Sequence, residues 1–127
     1  MKRLVLIAPL IALGGALLAP DLAQAQRISP MQTGNFARIC SRPAGATACD
    51  AYITGLADAM ALSKINDRNE GDPSAPTGFC VPTSENGAAM RGKVLTWLKA
   101  HSDALSKPVG ESVFKALHDS YPCSAAK

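Results

Sequence analysis

The residues of this chain best suited to chemistry are four cysteines and two histidines. Cys40, Cys49, Cys80 and Cys123 could hold a metal, cycle as a redox pair or close disulfides. His101 and His118 could ligate a metal, move protons or support helix ends. Spacing separates these options. Zinc sites and dithiol redox sites are built on C-x-x-C and similar short steps, and no C-x-x-C occurs here. An even cysteine count in a short chain with an export-like leader fits two disulfides in an oxidising compartment. No metal and no cofactor is expected.

A catalytic set is equally hard to assemble. Asp50 and Asp58 stand eight positions apart, about two helical turns, with no nucleophile motif nearby. Ser63, Ser84 and Ser102 lack the strand-turn-helix context that exposes a catalytic serine. Gly71, Gly78, Gly87 and Gly92 are isolated, so no phosphate-cradling loop is present. His101 falls at the end of an apolar helical stripe and His118 near another helix C-terminus, where imidazole suits packing and the helix dipole. Core packing also accounts best for Phe36, Tyr52, Phe79, Trp97, Phe114 and Tyr121, although the two tyrosine hydroxyls could reach a surface. The chain does not read as an enzyme.

The elements that would position these residues begin after a leader. Met1-Lys2-Arg3 opens a basic segment, Leu4 to Ala19 is uncharged, and Ala23-Gln24-Ala25 forms an A-x-A cleavage site. Pro9, Gly14, Gly15, Pro20 and Asp21 interrupt the apolar run before it could span a bilayer, and no cysteine follows it to carry a lipid. Residues 1–25 are therefore expected to be a signal peptide cleaved near Ala25, without a membrane anchor. Residues 26–127 would form one exported domain. The leader holds Lys2, Arg3 and Asp21, so the 13 basic and 10 acidic side chains of the whole chain become 11 and 9. Such a small surplus, scattered and without an aromatic platform, excludes nucleic-acid binding.

In the mature part, periodicity predicts four helices and no strands, an all-α bundle. A short helix covers about Asn35 to Cys40, and Arg42-Pro43-Ala44-Gly45 forces a turn. Thr47 to Ile65 carries Tyr52, Ile53, Leu56, Met60 and Ile65 at near-helical spacing. Thr47 is the expected N-cap, with Asp50 in the first turn. Gly55, which weakens a helix, is expected where a neighbour approaches closely. Asn66 to Pro82 is dense in breakers and reads as a long polar loop. Thr83 or Ser84 would cap a third helix reaching about His101 on Met90, Val94, Trp97 and Leu98. Pro108 or Val109 would start the fourth, running to about Ser120 with Val113, Phe114, Leu117 and Tyr121 inward.

Four cysteines permit three connectivities, which sequence alone does not resolve. Placement favours Cys40–Cys49 across the Pro-Gly turn, and Cys80–Cys123 joining the start of the third helix to the end of the fourth.

The order Cys40, Ala48-Cys49-Asp50-Ala51-Tyr52-Ile53-Thr54-Gly55, Phe79-Cys80-Val81-Pro82, Val94-Leu95-Thr96-Trp97-Leu98-Lys99-Ala100-His101, Ala116-Leu117 and Tyr121-Pro122-Cys123 resembles the Rap/Tai family. These are small periplasmic immunity proteins paired with amidase toxins of type VI secretion. The resemblance spans nearly the whole mature chain. It implies a compact disulfide-stapled helical domain, often a homodimer. It also implies a non-catalytic role: binding a secreted peptidoglycan amidase effector and obstructing its active site. The chain departs from the family in a long Lys64–Gly78 connection and in Ser102-Asp103, which replaces a proline-containing turn.

The long polar segment is the candidate partner-binding element, through Asp67, Arg68, Glu70 and Asp72, which suit a basic or polar cleft. A competing reading is a small periplasmic stress chaperone, or an orphan binding protein of the same fold. Two histidines give the chain limited means for an acid-triggered switch.

Overall fold

The structure is a computed structural model that describes residues 28–123; the expected leader lies outside the described residues. Helix α1 is Thr33–Cys40, α2 is Ala46–Asn69, α3 is Gly87–Ala100 and α4 is Val109–Ser120. Short 3-10 turns cover Pro43–Gly45 and Ser102–Ser106. Among the described residues there is no strand, and the single bridge pairs Gln32 with Pro108. The all-α expectation holds, with both disulfides paired as placement favoured: Cys40–Cys49 and Cys80–Cys123.

Helix α2 packs on α3 and α3 on α4, while α1 crosses the bundle and touches the other three. The apolar stripes meet in one core of Phe36, Ile53, Met90, Val94, Leu98, Val109, Val113 and Leu117. Each such aliphatic or aromatic side chain contributes about 1.5–3 kcal/mol through burial. Phe36 and Tyr52 rings meet at 5.2 Å, fixing α1 against α2. The Cys40–Cys49 bond locks the same corner and is itself buried, at 1% and 2% exposure. By chain entropy it stabilises by about 2.7 kcal/mol, and the longer Cys80–Cys123 closure by about 4 kcal/mol.

Polar groups knit the far end. Thr33 Oγ1 sits 2.8 Å from both the Lys107 carbonyl and Ser112 Oγ, and Ser112 Oγ donates to the Ala104 carbonyl at 3.1 Å. Thr33 and Ser112 are buried, and these bonds satisfy them. They hold the start of α1 against the Ser102–Ser106 turn, an element not anticipated from sequence.

Several helix ends differ from expectation. Helix α2 starts at Ala46, because the Pro43–Gly45 turn runs straight into it with Gly45 as N-cap. Thr47 is therefore inside the helix, and Asp50 lies beyond the first turn. Asp50 instead accepts from Arg91 Nε at 2.6 Å. Helix α3 begins later than Thr83 or Ser84. Glu85 N donates back to the Pro82 carbonyl in a turn, and Asn86 supplies the cap through Oδ1 to Ala89 N at 2.9 Å. Gly55 faces open space; the close approach of α2 and α3 lies at Gly87, where a Cβ would come within 2.9 Å of Asp50 Cβ.

Candidate partner-binding surface

Helix α2 is longer than its breakers suggested, and this shapes the candidate surface. Asn66 and Asn69 are weak helix formers, but neither stops a helix. The stop is Gly71, at φ 90°. Gly71 N donates to the Arg68 carbonyl at 3.2 Å and Asp72 N to the Asp67 carbonyl at 2.8 Å. That pair of reverse bonds is a Schellman ending, which needs a left-handed residue that glycine supplies without strain.

Asp67 and Arg68 consequently stand on the last helical turn, Glu70 is the C-cap and Asp72 follows the stop. The loop reading is corrected for the first two. Glu70, Asp72 and Arg68 are exposed, and Asp67 is half-buried. Three carboxylates thus gather at the negative end of the helix dipole, where each opposes the helix by about 0.3–1 kcal/mol at low salt. Arg68 offsets only one of them. The acidic tip does nothing for helix stability.

Beyond the tip the chain turns back along α2. Lys64 Nζ donates to the Pro73 carbonyl at 2.8 Å and also to the Ala75 carbonyl. Ser74 Oγ donates to Asp72 Oδ1 at 2.8 Å. Farther on, His118 Nδ1 donates to the Gly78 carbonyl at 2.5 Å, and Cys80 N to the Tyr121 carbonyl at 2.9 Å. Phe79 is 3% exposed and meets Phe114 edge-on at 5.5 Å. The segment is pinned at several points by groups on α2 and α4.

Between this segment and α2 runs a groove of about 720 Å³. Ala57, Ala61 and Ile65 form its helix side, Phe79 and Val81 its apolar far end, and Lys64 and Arg68 bring positive charge. Ile65 is 50% exposed there, and Leu62, one position after Ala61 on α2, is 63% exposed. Near-helical spacing grouped Ile65 with the apolar side of α2, and the structure exposes it. It follows Met60 by five positions, a break in the three-and-four spacing that could have signalled that α2 leaves the bundle there. Leu62 and the groove were not visible in the sequence.

The two histidines serve packing. His101 stacks on Trp97 at 3.8 Å and its Nδ1 donates to the Trp97 carbonyl at 2.8 Å. His118 holds the Gly78 carbonyl as described. Tyr121 does not show its hydroxyl at a surface: it is 5% exposed and donates to Glu85 Oε2 at 2.5 Å. Lys93 Nζ lies 4.1 Å from the centre of its ring. Burial first, then the Glu85 carboxylate, push the Tyr121 phenol well above its ordinary value. Burial also raises Tyr52.

No curated protein and no solved structure matches the chain. The family model of Rap1a immunity proteins matches residues 32–123, which runs from the cap of α1 to the last cysteine and takes in both disulfides and all four helices. With so much of the chain matched, this protein belongs to the Rap1a immunity protein family.

Proposed function

We propose that the chain is an exported immunity protein that acts in the periplasm. It would bind a peptidoglycan amidase toxin delivered by type VI secretion and obstruct the toxin's active site. The match of the family model over residues 32–123 carries this reading. The paired cysteines agree with folding in an oxidising compartment. Residues 1–25 act as the cleaved leader and residues 26–127 as the working domain. The protein does no chemistry of its own and needs no cofactor. It works by occupying the toxin, and the family likeness makes a homodimer the expected assembly.

The contact surface we assign is the acidic tip, Asp67, Arg68, Glu70 and Asp72, with the groove and the exposed Leu62 and Ile65 behind it. Apolar side chains at the centre with charged groups at the rim match the usual anatomy of a protein interface. The tip's cost to the helix also supports a role outside the fold.

The test is co-expression with exported amidases encoded beside the gene. Cells producing the cognate toxin should survive only with this protein, and the purified pair should form a stable stoichiometric complex that cannot cleave peptidoglycan. Survival without a complex, or a complex that still cleaves, would refute inhibition by binding. Light scattering of the free protein decides the dimer.

A further inference from the structure

The two disulfides occupy opposite environments. Cys40 and Cys49 are sealed in the α1–α2 corner at 1% and 2% exposure. Cys80 is exposed, Cys123 is half-buried, and both line the groove beside α2. A thiolate must reach a sulfur to attack it, so access separates the two bonds before any difference in intrinsic strength.

From these observations we infer that Cys80–Cys123 is a thiol–disulfide exchange site, open to a dithiol reductant, while Cys40–Cys49 is a permanent staple. One thiolate of the dithiol attacks the Cys80 sulfur from the groove and forms a mixed disulfide. The bond to Cys123 breaks, and the electron pair leaves on the Cys123 sulfur, which takes up a proton. Cys123 Sγ already lies 3.8 Å from the Thr77 carbonyl, which can accept the new S–H. The second thiolate of the reductant then attacks its own sulfur in the mixed disulfide. Cys80 is released and protonated, and the reductant departs as a cyclic or intramolecular disulfide. Two electrons pass from the dithiol to the protein, and the reverse sequence re-forms the bond.

Opening this bond loosens one wall of the groove and leaves the bundle standing. The α3 and α4 stripes stay buried, Tyr121 keeps its Glu85 partner, and the α1–α2 corner keeps its own disulfide. What is lost is the covalent link between Phe79-Cys80-Val81 and the chain end after α4. Among the described residues, one main-chain bond joins these two segments, from Cys80 N to the Tyr121 carbonyl. The inference does not depend on the identity of any toxin.

The experiment exposes the oxidised, folded chain to graded dithiothreitol, and in a second arm to a reduced protein dithiol of the C-x-x-C type. New thiols are alkylated and located by mass spectrometry. Cys80 and Cys123 should be labelled at least roughly tenfold faster than Cys40 and Cys49. Selectivity with dithiothreitol alone assigns the exchange to small thiols, and selectivity in both arms admits a protein reductant. Equal labelling of all four cysteines, or earlier labelling of Cys40 and Cys49, overturns the inference. Hydrogen exchange on the selectively reduced chain, and on a Cys80→Ser, Cys123→Ser variant, supplies the second readout. Faster exchange confined to about residues 76–82 supports the hinged wall. Unchanged exchange there, or loss of the helical circular dichroism, overturns it.

Discussion

The Asp50 carboxylate accepts a hydrogen bond from Arg91 Nε at 2.6 Å, tying the early part of α2 to the second turn of α3. Both side chains keep about a quarter of their surface in water, 28% for Asp50 and 24% for Arg91. Solvent screening therefore limits what the pair can contribute. Asp50→Asn should lower stability by less than about 1 kcal/mol, with the loss shrinking as salt is raised. Denaturant midpoints at low and high ionic strength measure it.

The same α2–α3 contact makes glycine substitutions diverge in sign. A Cβ at Gly87 would sit 2.9 Å from Asp50 Cβ, which cannot move without α2, and 3.1 Å from Thr54 Oγ1. Gly87→Ala should destabilise by about 1–3 kcal/mol through overpacking. Gly92→Ala, facing open space on the same helix, should stabilise by roughly 0.5–1 kcal/mol from propensity alone. Thermal unfolding of the two variants against the parent checks the opposite signs.

Alkaline pH should unfold the protein through its tyrosines. Tyr52 and Tyr121 are both raised in the folded chain, so the folded state holds their protons after the unfolded state begins to lose them near pH 10. Their contribution to stability is complete below about pH 10 and is lost as pH climbs toward the folded values. Tyr121→Phe keeps the ring beneath Lys93 but has no proton to release. The variant should show a shallower fall in denaturant midpoint above about pH 10 than the parent. Phenolate absorbance, followed alongside helical circular dichroism, reports how far tyrosine ionisation and unfolding run together.

Neutralising the acidic tip should separate stability from binding. In an Asp67→Asn, Glu70→Gln, Asp72→Asn variant the helix dipole no longer faces three carboxylates. Thermal stability should hold or rise, by up to roughly 1–3 kcal/mol at low salt. Association with the toxin should slow by roughly tenfold at low salt, and the difference should close at high salt if steering is the mechanism. Rates measured at two ionic strengths decide it; an unchanged rate places the contact elsewhere on the chain.

Much of the architecture was legible because it rests on local signals. The stripes Met90, Val94, Leu98 and Val113, Leu117 repeat with helical period, and each of these residues is buried. The cysteines bracket a turn and an antiparallel pair, and they bond accordingly. The start of α4 followed from Pro108, which cannot continue a helix from before. Less legible were the ends of α2 and α3. Thr47 could cap a helix in isolation, but the preceding 3-10 turn had already begun the coil. Asn66 looked like a stop, yet one left-handed glycine five residues on set the true end.

The sequence by itself determined the helical class and the register of the buried stripes on α3 and α4, since each depends on neighbours a few residues away; it narrowed the staples to a short menu of pairings. Tertiary structure decided where those helices begin and end, which glycine lies under a neighbour, and which disulfide faces water. It also decided the fate of the second half of α2, which leaves the core after Met60 and carries Leu62, Ile65 and the acidic tip outward. Burial and exposure at those positions depend on the packing of chain segments distant in sequence, and no local period encodes that distance.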